Sequence, residues 1–165
     1  MIINYDNLIG ALRDEVQEYG ELLSLFNDQQ AAILERNPGR VLEIQDTIKE
    51  QLVTINDRRK HRELVAKEFA VTIGVEPSLT VRQLIDKCEE TVRPLLNALI
   101  YEVSHLISKA RRRGHQNQML LARSIEVSQQ ILQRLNPGGL TKTYSRRGQI
   151  SLVRGGAGSK YLARS

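Results

Sequence analysis

The chain has 165 residues, is 41% hydrophobic but only 4% aromatic with no Trp, and carries a net charge of +5. One cysteine, Cys88, excludes an internal disulfide and a cysteine-based metal cage, and no run of ~18 apolar residues is present for a membrane span. Leu, Ile and Val with abundant Glu, Gln, Arg and Lys favour helix bundles over sheets.

The charge is uneven. Residues 1–72 hold nine basic against thirteen acidic residues, residues 73–136 nine against six, and residues 137–165 six against none. The basic character therefore sits in the tail, and the nearly neutral body argues against a nucleic-acid-binding domain. The start, MIINYDNLIGALRDEV, lacks a basic region followed by an apolar block, so it does not read as a secretory signal. A reducing cytoplasm is the expected location.

Four prolines (Pro38, Pro77, Pro94 and Pro137) mark joints, since proline is tolerated in a first helical turn and costly in an interior. The first helix starts at the polar residues Asn4 to Asp6. Tyr5, Leu12, Tyr19, Phe26 and Ile33 recur every seven, and Ile9, Val16, Leu23 and Gln30 form a second row four residues on. That is a heptad seam and the strongest periodic signal in the chain.

Asn37-Pro38-Gly39 then places a cap residue before a proline suited to the first helical position. The second helix runs to about Ile73, with rows Val41, Ile48, Ile55, Arg62, Phe69 and Gln45, Leu52, Arg59, Ala66, Ile73. The seam breaks at the charged centre NDRRKHR (56–62). Gly74 suits a C-terminal stop, with Val75 placed for the apolar contact that accompanies it. Thr80 and Gln83 have the spacing of a capping box for a short helix carrying Val81, Leu84, Ile85 and Cys88, the thiol on the apolar face.

Pro94 to Asn136 reads as one amphipathic helix, about 65 Å long at 1.5 Å per residue. Its apolar rows include Leu96, Val103, Ala110, Leu99 and Leu106. Its centre, KARRRGHQNQ (109–118), is polar, and Leu120, Leu121, Ile125, Val127, Ile131, Leu132 and Leu135 form a renewed apolar stripe. The stripe is broader than a two-stranded seam needs, consistent with packing against two neighbours, and it leaves a homodimer open. The polar centres of the second and fourth helices suggest a loosened waist where they face each other antiparallel, and Arg111-Arg112-Arg113 reads as a solvated face. After Asn136 the chain is glycine-rich, basic and without helical period. QISLV (149–153) is read as a strand only if a partner supplies the other half, and the tail as mobile.

No constellation carries enzyme chemistry. His61, His105 and His115 are scattered, no glycine loop follows a strand, and no serine sits in an elbow motif. The reading is a non-enzymatic protein without cofactor, metal or small-molecule substrate.

NQMLLARSIEVSQQIL (117–132) followed by TYSRRGQI (143–150) resembles the FlgN family of flagellar type III export chaperones. Asn117, Leu120, Leu121, Ser124 and Ile125 fit the family's last-helix pattern. Thr143, Tyr144, Arg146, Arg147 and Gly148 fit its tail pattern, with Ser145 where an acid is frequent. Gly74, Leu79, Thr80, Leu84 and Ile85 follow in the same order upstream. Asn37-Pro38-Gly39 is a harder break than the family's usual joint, and the tail after Ile150 departs from it.

The resemblance implies a cytoplasmic chaperone that holds the terminal helices of the hook-associated proteins FlgK and FlgL and delivers them to the export gate protein FlhA. The fold expected is all-α, an elongated antiparallel bundle or coiled coil of three long helices and one short one. A helical domain spans 1–136 and a flexible basic tail 137–165. The stripe Leu120, Leu121, Ile125, Val127, Ile131, Leu132 and Leu135 is expected to meet the client, with at least half of it against the chain's own first two helices. Tyr144, Arg146 and Arg147 are expected to meet a partner or the export gate. The alternatives are a nucleic-acid-associated coiled coil, using Arg111–Arg113 and the tail, and a purely structural coiled coil.

Overall fold

The computed structural model describes residues 2–135, 140–144 and 150–154. It divides into two compact units, Met1–Gln118 and Met119–Ser165. The helices are α1 (Asp6–Leu34), α2 (Pro38–Thr72), the short α3 (Val81–Ile85) and α4 (Arg93–Leu135), followed by strands β1 (Leu140–Tyr144) and β2 (Ile150–Arg154). The expected all-α body of three long helices and one short helix is the one observed.

Local chemistry sets the joints. The Asn37 side chain accepts a hydrogen bond from the Arg40 amide at 3.1 Å, with Pro38 as the first residue of α2. Thr80 and Gln83 form the reciprocal capping box of α3, at 3.3 and 3.0 Å. α2 ends in a Schellman motif: Val75 N–H reaches Ala70 O, Gly74 N–H reaches Val71 O, and Gly74 has φ +74°. α1 ends the same way, Asn37 N–H to Ala32 O and Arg36 N–H to Ile33 O, but there Arg36 takes the left-handed position, at φ 56°. Asn4, one residue before the α1 cap position, accepts from Asp6 N–H at 2.7 Å.

Within Met1–Gln118, α2 folds back antiparallel on α1. Gln45 meets Gln29, Gln51 meets Glu18, and Arg62 meets Glu15. α4 runs parallel to α1: Glu89 N–H reaches the Tyr5 hydroxyl near its start, and Asn117 reaches Phe26 O three helical heptads later. The main core gathers Tyr5, Leu8 and Leu12 of α1 with Val65, Ala66 and Phe69 of α2, Leu84 and Ile85 of α3, and Leu96 of α4. Tyr5 and Phe69 stack tilted at 5.3 Å.

The seven-residue row Tyr5, Leu12, Tyr19, Phe26 and Ile33 does face the core, and so does the row from Val41 to Phe69. The second rows are displaced by one residue from expectation. On α1 the buried partners are Leu8, Glu15, Leu22 and Gln29, whereas Ile9, Val16 and Leu23 are half-buried flanks. On α2 the buried positions are Ile44 and Val65, with Gln51 half-buried and Arg58 exposed between them; of the expected row Ala66 is buried and Leu52 exposed. A +3 step places both rows in one seam, and the displaced rows contain the polar residues that make apolar periodicity misread them.

The polar centres of α2 and α4 meet only in part: Arg59 and Arg62 share a cleft with Arg111, while Arg58 and Arg113 turn to α1. Arg58 approaches Asp14 and Glu18 of α1 at 3.8 and 3.7 Å, and Arg113 donates to Gln30 Oε1 of α1 at 2.6 Å. Both centres dock chiefly on α1, because its seam supplies the carboxylates and amides they need. Gly114 is where α4 passes the Phe26 ring; an added Cβ would lie 3.1 Å from it.

In the second unit, β1 and β2 pair antiparallel from Leu140 opposite Arg154 to Tyr144 opposite Ile150. Residues 150–153 thus find their partner strand inside the chain, which corrects the expectation that another protein must supply it. The sequence does not announce residues 140–144 as a strand, because no turn signature joins the two runs across Ser145–Gln149. The expected mobility of the tail otherwise falls on 136–139, 145–149 and 155–165, outside the described residues.

Candidate functional site

The last seventeen residues of α4, Met119 to Leu135, contain no buried side chain. At ~100° per residue, Leu120, Leu121, Ile125, Val127, Ile131, Leu132 and Leu135 fall within about 160° of arc, and Arg123, Glu126, Gln130 and Gln133 fall opposite. Six of the seven apolar residues are exposed, Leu132 at 47% and Leu135 at 77%, and Leu120 is half-buried. The expectation that at least half of this stripe would be spent on the chain's own core is therefore corrected. Ser124 and Ser128 lie in the middle of the arc, where the Ser128 hydroxyl donates to Ser124 O at 2.9 Å. Both stay low, so the flanking leucines and isoleucines stand as ridges around a shallow seat.

Upstream, α4 follows a strict seven-residue row of buried positions: Leu96, Val103, Ala110 and Asn117. Asn117 is the polar end of that row and is 2% exposed. Its amide nitrogen donates to Phe26 O at 2.8 Å and to Gln29 Oε1 at 3.1 Å, and Gln29 in turn donates to Gln45 Oε1 at 2.8 Å. One amide chain thus ties α4, α1 and α2 together. A buried polar group at a seam position fixes register, since any slip strands it unpaired. Two further steps of seven reach Ser124 and Ile131, so the sequence row continues where burial stops. Asn117 was legible as a motif residue, but its structural role was not, because its partners are far away in sequence.

The same unit contains a cleft of about 390 Å3 between α1, α2, the start of α3 and α4. Val81, Ile100, Val103 and Ile107 supply apolar walls, and four arginines, Arg59, Arg62, Arg82 and Arg111, also line it. Arg62 is paired to Glu15 at 2.6 Å. Among the described residues Arg59, Arg82 and Arg111 form no ion pair. Tyr19 also lines the cleft; burial pushes its phenol up, Glu15 adds to the rise, and Arg59, Arg62 and Arg111 oppose it. No sequence pattern joins residues 59, 62, 82 and 111; only the packing of four elements does.

Arg111, Arg112 and Arg113 point in three directions: into the cleft rim, to solvent and to Gln30. Arg111 and Arg112 are exposed, as a solvated face requires, while Arg113 is half-buried against α1; the three do not form a continuous basic patch, because successive helical residues diverge by ~100°. Tyr144 lies in β1, its backbone opposite Ile150. Arg146 and Arg147 lie outside the described residues, so this half of the expected site is untouched. Cys88 is buried in the core, donating to Leu84 O at 3.3 Å, as the apolar-face reading expected.

Among the described residues no group of three His, Cys, Asp or Glu could hold a metal ion, and no helix is long and apolar enough to cross a membrane. The body is all-α, and its last helix ends in an exposed apolar stripe. A protein-family model described as FlgN protein matches residues 1–151. The chain belongs to the FlgN family, a family of flagellar export chaperones. Neither a curated protein nor a solved structure matches it.

Proposed function

We propose that this protein is a cytoplasmic type III export chaperone for the hook-associated proteins FlgK and FlgL. It covers their terminal helices before export and passes them to the export gate protein FlhA. The observation that carries this reading is the exposed stripe from Leu120 to Leu135 on a helix whose upstream half is spent on the chain's own core. Export substrates with bare amphipathic helices assemble or aggregate early, and a helix laid along such a stripe covers that face with contacts at i, i+3, i+4 and i+7. Each leucine newly buried contributes ~1.5–3 kcal/mol before the cost of ordering the client. Seven such residues therefore exceed what micromolar capture needs, and leave room for release at the gate.

Tyr144, with Arg146 and Arg147, is the second contact in this reading. An aromatic beside two arginines suits an acidic, partly apolar patch on a client or on FlhA. Among the described residues β1 and β2 pair only with each other, and a partner's extended segment could join this ribbon. A nucleic-acid role is disfavoured by the divergence of Arg111, Arg112 and Arg113.

The test is co-purification of FlgK and FlgL with the parent and with Leu132→Asp. Leu132 is half exposed, so the variant should keep full helicity and lose client capture by at least about tenfold, a loss of ~1.4 kcal/mol or more. Undiminished capture removes the stripe from the site. Sedimentation of the protein alone separates this from a homodimer: self-association abolished by the same substitution, with no client bound, would assign the stripe to a second copy.

A further inference from the structure

The cleft walled by Val81, Ile100, Val103 and Ile107 and rimmed by arginines has no part in the chaperone reading above. It lies wholly within Met1–Gln118, whereas the stripe begins at Leu120. Four arginines line it against one acidic residue, Glu15, which Arg62 already occupies at 2.6 Å. Arg59 spends one nitrogen on Asn56 Oδ1 at 2.9 Å; no hydrogen bond engages the guanidinium of Arg82 or Arg111 among the described residues. Arg59, Arg82 and Arg111 are exposed, so they give the rim a net positive charge that an anionic group would complement. Helix α1 carries Asp14 and Glu18 nearby, yet these pair with Arg58 outside the cleft rather than neutralising its rim.

We propose that this cleft binds an acidic peptide segment that carries an aliphatic anchor residue. The volume of about 390 Å3 holds one or two side chains, not a folded domain. The aliphatic walls take the anchor. Arg82 and Arg111, with the free nitrogens of Arg59, take flanking carboxylates, which guanidinium groups engage in bidentate pairs. The walls argue against a nucleic-acid strand: Tyr19 is the only aromatic lining the cleft, and its ring is partly buried, so no platform for base stacking is present. The walls equally argue against a bare phosphate, which would leave the aliphatic surface wet.

The experiment is fluorescence anisotropy of the full chain with a labelled short peptide of Asp, Glu and Leu, at low salt. A version with Asn and Gln for the acids, and one with Ser for Leu, serve as comparisons. Binding should be saturable, weaken at least about tenfold in Arg82→Ala/Arg111→Ala, and weaken as strongly when either the acids or the leucines of the peptide are replaced. Arg112→Ala, a loss of one positive charge outside the cleft, should change affinity by less than about twofold and by less than either Arg82→Ala or Arg111→Ala alone. Circular dichroism verifies that the double variant keeps its helicity, as is expected of side chains without ion pairs. Absence of binding, equal loss in Arg112→Ala, or indifference to the leucines overturns the proposal. Displacement of the peptide by inorganic tripolyphosphate at or below equal concentration overturns it as well, because the site would then read charge alone. None of these outcomes depends on FlgK or FlgL, so this proposal and the chaperone reading fail separately.

Discussion

The Glu15–Arg62 pair sits inside the α1–α2 seam, and its two halves are unequally buried: Glu15 is 2% exposed and the Arg62 side chain 20%. Arg62→Leu leaves a carboxylate in the seam with no cation at hydrogen-bond distance. Breaking a buried pair in this way costs about 3–5 kcal/mol, and the lower end applies because new Leu surface is buried at position 62. Glu15→Leu leaves a guanidinium that can still reach water at the cleft mouth. There the lost charged hydrogen bond, ~1.5–3 kcal/mol, is offset by a buried Leu worth about as much, so the net cost is near zero and at most about 1 kcal/mol. The double variant removes both charges and closes the seam with apolar groups, and it should match or exceed the parent in stability. Urea unfolding followed by helical ellipticity measures all four corners of the cycle. The expected coupling is at least about 2 kcal/mol, of the sign that makes the double less damaging than the sum. Additive losses, or a larger loss for Glu15→Leu than for Arg62→Leu, would refute the claim that unequal burial sets the asymmetry.

Two further expectations concern local chemistry. Arg36 occupies the left-handed position of the motif that ends α1, at φ 56°. Arg36→Gly should therefore raise stability by ~0.5–1 kcal/mol, and Gly74→Ala, at φ +74° in the same motif of α2, should lower it by ~1 kcal/mol; thermal melts of the two variants shifting in the same direction would contradict this. Burial pushes the Cys88 thiol above its ordinary range, Arg93 pulls it down less, and Glu89 adds a little. Since the folded state holds the proton more tightly, its contribution to stability is present below the ordinary thiol pKa and is lost as pH rises above it. Alkylation by iodoacetamide should accordingly be slow in the native protein and accelerate with unfolding; rapid native labelling would show that the thiol is accessible.

The Glu15 cycle also explains why the helix faces were only half legible. Asn37-Pro38, Gly74-Val75 and Thr80-Gln83 announced their joints correctly because a cap is completed within a few residues. The row from Tyr5 to Ile33 was legible because it is apolar or aromatic throughout. Its companion row was not, since Glu15 and Gln29 occupy it and apolar Ile9, Val16 and Leu23 lie one residue away. Only Arg62, Gln45 and Asn117, brought from other helices, make those polar residues tolerable in a seam.

The stripe from Leu120 to Leu135 divides the same way. Periodicity established that these residues share a face, because helical geometry alone dictates it. Whether that face is core or free surface depends on which other helices reach it, and the structure leaves six of its seven residues exposed. Gly114 against Phe26, the splitting of Arg111 to Arg113 and the arginine-rimmed cleft belong to this second kind. Each joins residues tens of positions apart, and distance along the chain carries no record of such meetings. The sequence by itself determined the helices, their joints and the amphipathic end. The tertiary structure alone decided which polar groups are paired and which apolar groups are left for another molecule.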